Sequence, residues 1–348
     1  MNIVISGLIV GIIFGFVLQR GRFCMNSAIR DTVLLQDSTL LKSVGVAILV
    51  QMFAFAIMDA AGWISINPKP LFWGANLVGS FIFGIGMVLA GGCASGITYR
   101  VGEGMMGALA ALIGLTTAGT LTAMGKLGFL TNLKTSLQTN TKIMVGEANP
   151  TLANLLGVPY WILALIISVV AGLIWYLVAR KNGDDDLECD KSTPLGDRIF
   201  KKGWNWLVAG ITVGLVGVIS FPISAAADRN YPLGITAGWI TWVKVALPGV
   251  DASVNWIAAM VLGIILGALI AALIAGEFKF RFPKWGMIGQ AFVGGLIMGF
   301  GAVTSGGCNV THILSGIPQL GIGSFVASIS IALGAWVTAY LIFVRPNK

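Results

Sequence analysis

Residues 79–93 read GSFIFGIGMVLAGGC, and residues 294–308 read GGLIMGFGAVTSGGC. At a constant offset the two stretches pair Gly79, Gly84, Gly86, Gly91, Gly92 and Cys93 with Gly294, Gly299, Gly301, Gly306, Gly307 and Cys308. The chain holds 47 glycines, so single matches are expected by chance, but a shared register that ends twice in GGC is not. The sequence therefore predicts an internal repeat.

The composition is that of a membrane protein. Apolar types make up 56% of the 348 residues and charged types only 10%, whereas a soluble domain carries about 25% charged residues. We predict an all-α polytopic membrane protein with nine transmembrane helices, each near the roughly 20 residues that cross a bilayer. The predicted spans are 3–19, 41–62, 71–90, 105–124, 158–179, 204–221, 254–275, 287–303 and 321–344. Shorter segments, predicted to be re-entrant helices, lie at 20–31, 91–104, 233–248 and 306–316.

The distribution of positive charge predicts the orientation. If the N-terminus is outside and the spans alternate, most of the 22 Lys and Arg residues fall on the inner side, as the positive-inside rule requires. We therefore predict a periplasmic N-terminus and a cytoplasmic C-terminus. No Lys/Arg-rich arm with interleaved aromatic residues occurs in the sequence, which argues against nucleic-acid binding. The apolar start has no basic region before it, which argues against a cleavable signal peptide.

A charged segment divides the chain into halves. We predict a first repeat at 1–179, a cytoplasmic linker at 180–203 and a second repeat at 204–348. Because five predicted spans precede the linker, the second repeat enters the membrane in the opposite orientation. Inverted repeats with short broken segments are typical of transporters, and their binding sites lie where the halves meet.

The two GGC motifs predict bends that can hold an anion. Tandem glycine lets the backbone turn sharply and lets a ligand approach closely. A helix beginning just after the glycines would direct unpaired N–H groups at that ligand. The candidate binding residues are Cys93, Cys308, Gly91, Gly92, Gly306, Gly307 and Asn309. The alternative is a close-packed turn in which glycine allows helix contact and cysteine only fills space.

A third candidate thiol, Cys24, lies in RGRFCMNSAIRD at 20–31, beside three arginines. It is either a thiol in a basic mouth or an incidental cysteine in a positive-inside flank. Cys189, in the charged linker, is predicted to be incidental. No C-x-x-C motif occurs in the sequence, which argues against a dithiol formed by neighbours in sequence. The dispersed thiols and the single histidine make no recognisable metal-ligand spacing, so neither a metal nor a cofactor is predicted. His312 follows Cys308 by four residues, and it either tunes that thiol or makes a plain polar contact near an aqueous mouth.

Three motifs resemble the YeeE/YedE family of bacterial membrane proteins, namely RGRFCM at 20–25, GGCASGITYRVGEG at 91–104 and SGGCN at 305–309. The resemblance extends over essentially the whole chain. It implies a bacterial inner-membrane protein that imports thiosulfate for cysteine synthesis, built as an hourglass whose re-entrant helices meet at a constriction. It also implies a cytosolic sulfur-carrier partner of the TusA type and three functional thiols, at Cys24, Cys93 and Cys308.

We therefore expect a transporter in a lipid bilayer rather than an enzyme. In this hypothesis thiosulfate passes from outside to inside by successive weak hydrogen bonds from the thiols of Cys308, Cys93 and Cys24. A thiol is a weak donor, and a weak site can release the ion that it binds. Two alternatives stay open: a transporter or channel for another sulfur or selenium species, and a membrane thiol oxidoreductase that carries a persulfide.

Overall fold

The structure, a computed structural model, describes residues 3–146, 148–182 and 195–345, and it is almost entirely helical. Its helices are α1 (Ile3–Arg20), α2 (Met25–Leu34), α3 (Thr39–Ala60), α4 (Trp73–Leu89), α5 (Ala94–Gly102), α6 (Met106–Ala123), α7 (Phe129–Asn140), α8 (Leu152–Leu156), α9 (Tyr160–Asn182), α10 (Leu195–Phe200), α11 (Trp206–Ala225), α12 (Thr236–Ala246), α13 (Trp256–Ile274), α14 (Trp285–Ser305) and α15 (Ile322–Ala339). π-helical segments lie at Val310–Gly316 and Tyr340–Val344. Cys189 and the centre of the predicted linker lie outside the described residues.

Within the described part of the chain, eight helical stretches are long and apolar enough to cross a membrane. They are Ile3–Leu34, Thr39–Ala60, Trp73–Gly102, Met106–Ala123, Trp206–Ala225, Trp256–Ile274, Trp285–Ser305 and Ile322–Val344. Helix α9 lies at the fifth predicted span, and its apolar part, Tyr160–Trp175, is shorter than the other eight. The prediction of an all-α polytopic membrane protein is confirmed.

Helices α4 and α14 pack antiparallel through their repeated glycines. A Cβ atom built on Gly79 would lie 3.0 Å from the carbonyl oxygen of Gly301, and one built on Gly301 would lie 2.6 Å from that of Gly79. At the other end of the pair, a Cβ on Gly86 would lie 2.7 Å from the carbonyl oxygen of Gly294. Only glycine allows backbones to approach this closely. The repeated glycines are therefore the surface by which one copy of the motif packs on the other.

These contacts are reciprocal, as a two-fold relation between the helices requires. The remaining glycines of the register follow the same pattern: Gly84 packs on the backbone of α15 at Ile331, and Gly299 packs on the backbone of α6 at Leu115. The α4–α14 pair is the arrangement that an inverted repeat would give at the two helices that carry the GGC motifs. The inverted repeat of the two halves stays a prediction.

We expect Gly301→Ala to destabilise the protein in detergent, because the new methyl group would overlap the backbone of α4. Overpacking of this kind costs about 1–3 kcal/mol. Gly289→Ala on the same helix is the matched control, since no atom lies within 4 Å of its added Cβ. A thermal unfolding curve should shift downward for Gly301→Ala and stay level or rise slightly for Gly289→Ala. Equal curves would contradict the packing argument.

The four short segments each contain a short helix. Helix α2 lies in the segment 20–31 and continues past it, α5 lies in 91–104, α12 lies in 233–248, and the π-helical turn Val310–Gly316 lies in 306–316. Three of them follow a tight turn: Arg22, Gly91 and Gly306 have φ values of +47°, +70° and +83°. The chain thus bends sharply immediately before each candidate cysteine. A re-entrant path through the bilayer stays a prediction.

The long loop at 125–157 is partly ordered by the helices beside it. Its strand Lys142–Ile143 pairs antiparallel with Leu71–Phe72, just before α4. From α7, Gln138 Nε2 donates to the carbonyl oxygens of Val303 (3.1 Å) and Thr304 (2.9 Å) at the end of α14. The loop is therefore fastened to the turn that carries the second GGC motif.

Candidate functional site

Two of the three candidate thiols lie side by side. The Sγ atoms of Cys24 and Cys93 are 3.7 Å apart, although 69 positions separate the residues in sequence. Both cysteines are buried and free. Each is the residue immediately before a helix, Cys24 before α2 and Cys93 before α5. The turns that precede α2 and α5 thus bring together two thiols that the sequence leaves far apart.

Helix α5 approaches this thiol pair through a glycine. The backbone N–H of Gly96 donates to Cys93 Sγ at 3.3 Å, and the hydroxyl of Ser95 lies 3.4 Å from the same sulfur. A Cβ atom built on Gly96 would lie 2.7 Å from Cys24 Sγ and 3.2 Å from Cys93 Sγ. Any larger residue at this position would push at least one sulfur away. Gly96, which the sequence analysis did not single out, therefore makes room for the pair.

The third thiol, Cys308, follows a turn that side chains from two other elements hold in place. Asn76 Nδ2 of α4 donates to the carbonyl oxygen of Ser305 at 2.8 Å, next to the carbonyl groups bound by Gln138. Cys308 is fully buried, and its Sγ lies 3.6 Å from Thr311 Oγ1. Polar groups that end α14 are thus satisfied by α4 and α7, which fixes the position of the thiol.

A contact between the two halves joins the thiol pair to the Cys308 segment. Asn309 Nδ2 donates to Met25 Sδ at 2.9 Å, and these two residues directly follow Cys308 and Cys24. All three cysteines belong to one buried core cluster. The structure thus places the predicted site residues of both halves in one region. Asn309 contacts a thioether here, which no motif in the sequence indicated.

Several polar atoms in this region have no protein partner among the described residues. Both amide atoms of Asn26, Oδ1 of Asn309 and Nε2 of His312 are buried and make no hydrogen bond there. A buried polar group left unpaired costs about 1–3 kcal/mol. Such groups are therefore suited to bind water or a passing polar ligand. Asn26 was missed by sequence reasoning, because an asparagine beside a positive-inside flank is unremarkable.

His312 lies deeper than the sequence analysis expected. It was placed near an aqueous mouth, but the structure buries it completely. Its Nδ1 lies 3.3 Å from the hydroxyl of Ser324 in α15. The chain turns into the protein after Cys308, so the π-helical segment carries the ring inward. The ring packs near Gly307, where an added Cβ would lie 3.1 Å from its Nε2.

A basic cavity ends at Cys308. Its volume is about 360 Å³, and its lining includes Cys308, Gly306, Gly307, Thr311, Lys69, Arg229 and Lys244. We call it the Cys308 cavity. Among the described residues, its lining includes three cationic side chains and no carboxylate. An anion is therefore the ligand whose charge the cavity complements.

Two cations of this cavity, Lys69 and Arg229, are held in place by an aromatic ring and by carbonyl groups. Lys69 Nζ lies 4.5 Å from the ring centre of Tyr231, and the Arg229 guanidinium donates to the Tyr231 carbonyl oxygen at 2.6 Å. Burial, together with the nearby Arg229, lowers the pKa of Lys69 to about 8. Burial also lowers the pKa of Arg229 to about 10. No acidic side chain neutralises Arg229 among the described residues, so its charge is available to a ligand.

A second charged cluster lies at the C-terminal end of α1, close to Cys24 in sequence. Glu277 pairs with Arg20 and with Arg22, the latter at 2.8 Å. Glu103 pairs with Arg22 at 3.2 Å, and Gln19 Nε2 donates to both carboxylates. We call this the Glu277 cluster. It ties together the ends of α1, α5 and α13, so it holds the turn before Cys24 and the helix that follows Cys93.

The chain is similar to known transport proteins along most of its length. A family model described as sulphur transport matches residues 20–337. The chain is 40% identical over 346 residues to the thiosulfate transporter TsuA of Spirochaeta thermophila, covering 98% of this chain and 99% of that protein. It is 30% identical over 351 residues to the thiosulfate transporter TsuA of Escherichia coli, covering 100% of this chain and 97% of that protein.

A shorter match links the chain to a second group. It is 41% identical over 101 residues to the probable transporter YedE of Escherichia coli, which is 28% of this chain and 24% of that protein. The resemblance seen in the cysteine motifs is thereby confirmed. This multi-pass membrane protein belongs to the sulphur transport family.

Proposed function

We propose that this protein carries thiosulfate across the bacterial inner membrane, entering at the Cys308 cavity and passing the Cys24–Cys93 pair. The observation that carries the proposal is a basic cavity that ends at a buried thiol. Both relatives that match along the whole chain are named thiosulfate transporters. Their names favour transport over the alternative of a membrane thiol oxidoreductase.

The chemistry of thiosulfate suits these groups. The ion has two negative charges and a soft terminal sulfur, and removing it from water is costly unless other donors replace its hydration. Lys69, Arg229 and Lys244 supply charge where the cavity is open. Deeper in, sulfur groups take their place: the Cys308 thiol, the Met25 thioether and the Cys24–Cys93 pair. The proposed path thus binds the ion strongly at the cations of the open cavity and weakly at the sulfur groups beyond it.

The proposed relay follows from this order. A thiol is a weak donor, and conduction requires sites that release the ion as readily as they bind it. In the relay the ion leaves Cys308, passes the Asn309–Met25 contact and reaches Cys93 and Cys24. The unpaired amide of Asn26 offers a further donor beside Cys24. No step requires a covalent bond to the substrate.

The proposed orientation places the Cys308 cavity on the periplasmic side and the Glu277 cluster on the cytoplasmic side. Its support is the positive-inside bias of the sequence. With this orientation the N-terminus is periplasmic and the C-terminus cytoplasmic. A cytosolic sulfur carrier of the TusA type would then receive thiosulfate near Cys24. The two predicted halves, 1–179 and 204–348, would each contribute one GGC turn to the path.

Uptake of radiolabelled thiosulfate into proteoliposomes tests the proposal. We expect uptake above that of empty liposomes, competition by unlabelled thiosulfate and weak competition by sulfate, which has the same charge but no terminal sulfur. Runs with and without an ion gradient show whether the flow is coupled. Uptake of selenite or sulfite in preference to thiosulfate would favour the alternative of another sulfur or selenium substrate. No uptake of thiosulfate by well-folded protein would contradict the proposal.

We expect the apparent affinity for thiosulfate to fall as the pH on the side of the Cys308 cavity rises from about 7 to about 9. The pKa of Lys69 is lowered to about 8, so its ammonium group is charged below that pH and neutral above it. Loss of one positive charge from the cavity costs about 1 kcal/mol of attraction, roughly a fivefold loss of affinity. Arg229, whose pKa is about 10, keeps its charge over this range.

The variant Lys69→Gln tests whether Lys69 is the source of this pH dependence. The variant should bind thiosulfate less tightly at pH 7 than the wild type, and its affinity should change little between about pH 7 and 9. Tyr231, His312, Cys308 and Lys244 also lie near Lys69 or line the same cavity. A pH dependence that survives unchanged in Lys69→Gln would show that Lys69 is not its source. Lys284→Gln, an exposed lysine at the start of α14 and so at the opposite end of that helix from the Cys308 turn, should behave as the wild type.

A further inference from the structure

The Cys24–Cys93 pair has a second chemical capability that hydrogen bonding does not use. The two sulfur atoms lie 3.7 Å apart, and both thiols are free. We propose that this pair is a reversible oxidation site, at which a peroxide forms a disulfide that closes the transport path. The effect of the disulfide on thiosulfate flux rests on the proposed function. Formation of the disulfide does not.

The geometry makes the bond reachable. A disulfide has its sulfur atoms about 2.05 Å apart, so the pair must close by about 1.7 Å. Each cysteine directly precedes a helix and follows a turn with a positive φ, at Arg22 and at Gly91. The sulfurs can therefore approach by rotation of the side chains and a small shift of either turn, while the helices stay in place. Gly96 has no side chain to stand between them.

Cys308 is an internal comparison. Its Sγ lies 3.6 Å from the hydroxyl of Thr311, and the described residues provide no second thiol in contact with it. The same oxidant that joins Cys24 to Cys93 would leave Cys308 without a resolving partner. The pair therefore differs from the third thiol in chemistry as well as in position.

The reaction is balanced with the peroxide as the oxidant. One cysteine sulfur attacks a peroxide oxygen, an S–O bond forms, the O–O bond breaks and water leaves, which gives a sulfenic acid. The sulfur of the second cysteine then attacks that sulfur, the S–S bond forms, the S–O bond breaks and a second water leaves. Overall, two thiols and one hydrogen peroxide give one disulfide and two waters. A dithiol reductant reverses the change by thiol–disulfide exchange.

The consequence for transport follows from the loss of both donors. A disulfide has no S–H group, so this part of the proposed path loses two hydrogen-bond donors in one step. The linked sulfurs also hold α2 and α5 together at their N-terminal ends. Oxidised protein should therefore stop passing thiosulfate, while the cavity at Cys308 keeps its cations and still binds the ion.

The experiment uses the full-length protein in proteoliposomes. Samples are treated with hydrogen peroxide, blocked with an alkylating reagent under denaturing conditions, digested and analysed by mass spectrometry. We expect a peptide pair that links Cys24 to Cys93 and an alkylated Cys308. Thiosulfate uptake measured on the same samples should fall in proportion to the linked fraction and return after treatment with a dithiol reductant.

Two variants distinguish formation of the disulfide from transport of thiosulfate. Cys308→Ser retains the pair, and we expect it to form the same linked peptide even if it transports nothing. Cys93→Ser should give no linked peptide. Normal uptake by samples in which most of the pair is linked would contradict the claim that the disulfide stops transport. Alkylation of both Cys24 and Cys93 after peroxide treatment would contradict the claim that peroxide joins these two cysteines. A linked pair in a protein that never transports thiosulfate would instead contradict the proposed function and leave the oxidation site standing.

Discussion

Replacing Cys93 or Cys308 by alanine is expected to reduce thiosulfate uptake to the level of empty liposomes. Each substitution removes one thiol donor at a buried position. A hydrogen bond to a charged group contributes about 1.5–3 kcal/mol, which corresponds to a rate loss of roughly tenfold to more than a hundredfold. The loss should be at least tenfold even if a thiol lies at the weak end of that range.

Serine at the same positions separates hydrogen bonding from sulfur chemistry. A hydroxyl donates more strongly than a thiol and has a similar shape, so Cys93→Ser should retain part of the uptake that Cys93→Ala loses. A mechanism through a persulfide would lose all activity in both variants. Uptake is measured as initial rate per mole of reconstituted protein, so that differences in expression do not enter.

Cys189→Ala is the matched control for these substitutions. The sequence analysis predicts that this cysteine is incidental, and the variant should transport at the wild-type rate. If Cys93→Ala and Cys308→Ala fold, reconstitute and import thiosulfate as fast as Cys189→Ala, the thiol relay is wrong.

The glycine register was sufficient to predict which helices carry the site. Two helices that approach with their backbones almost in contact need glycine at the contact positions, and these positions recur at helical spacing. In this sequence they are Gly79, Gly86, Gly294 and Gly301. The bends at Gly91 and Gly306 were predictable for a similar reason, since φ is positive at both and glycine adopts such values at no steric cost.

The thiol pair was not predictable in the same way. Cys24 and Cys93 meet because the turns before α2 and α5 lie together, and no sequence spacing predicts a contact between positions 69 residues apart. The absence of a C-x-x-C motif argued against a dithiol only for neighbours in sequence. Gly96 and Asn26 escaped notice for a related reason, because each is a common residue whose role depends on what the fold places opposite it.

Both ends of the proposed path are charged, but they are built differently. At the Cys308 cavity the cations lie beside aromatic rings and carbonyl groups, which leaves their charge available to an anion. In the Glu277 cluster, Arg20 and Arg22 are already paired with carboxylates. The first end is therefore suited to attract an anion, and the second is suited to hold helices without retaining one. This asymmetry favours entry at Cys308 and release near Cys24.

The second large effect is expected from Gly96→Ala. The added methyl group would lie 2.7 Å from Cys24 Sγ, closer than a carbon and a sulfur can approach, and 3.2 Å from Cys93 Sγ, which is a tight contact. The thiols are the ends of short side chains, so they should rotate apart rather than unfold the helix. We expect a loss of thiosulfate uptake of at least tenfold, because an anion can no longer contact both sulfurs at once.

Stability should change far less than transport in this variant. Alanine is better than glycine within a helix by about 0.5–1 kcal/mol, which offsets part of the overpacking cost of about 1–3 kcal/mol. Gly172→Ala in α9 makes the same change where no atom lies within 4 Å of the new Cβ, and it should transport as the wild type does. Thermal unfolding and initial uptake rates are measured on both variants.

The result also bears on the order of the sulfur groups. If Gly96→Ala keeps its cavity and its stability but loses uptake, the rate-limiting contact lies at the Cys24–Cys93 pair, beyond the Cys308 cavity. Peroxide treatment of the same variant should then give less of the peptide that links the two cysteines, because separated sulfurs form a disulfide more slowly. Wild-type uptake in Gly96→Ala would mean that the ion does not pass between these two thiols, and the relay would have to end at Cys308.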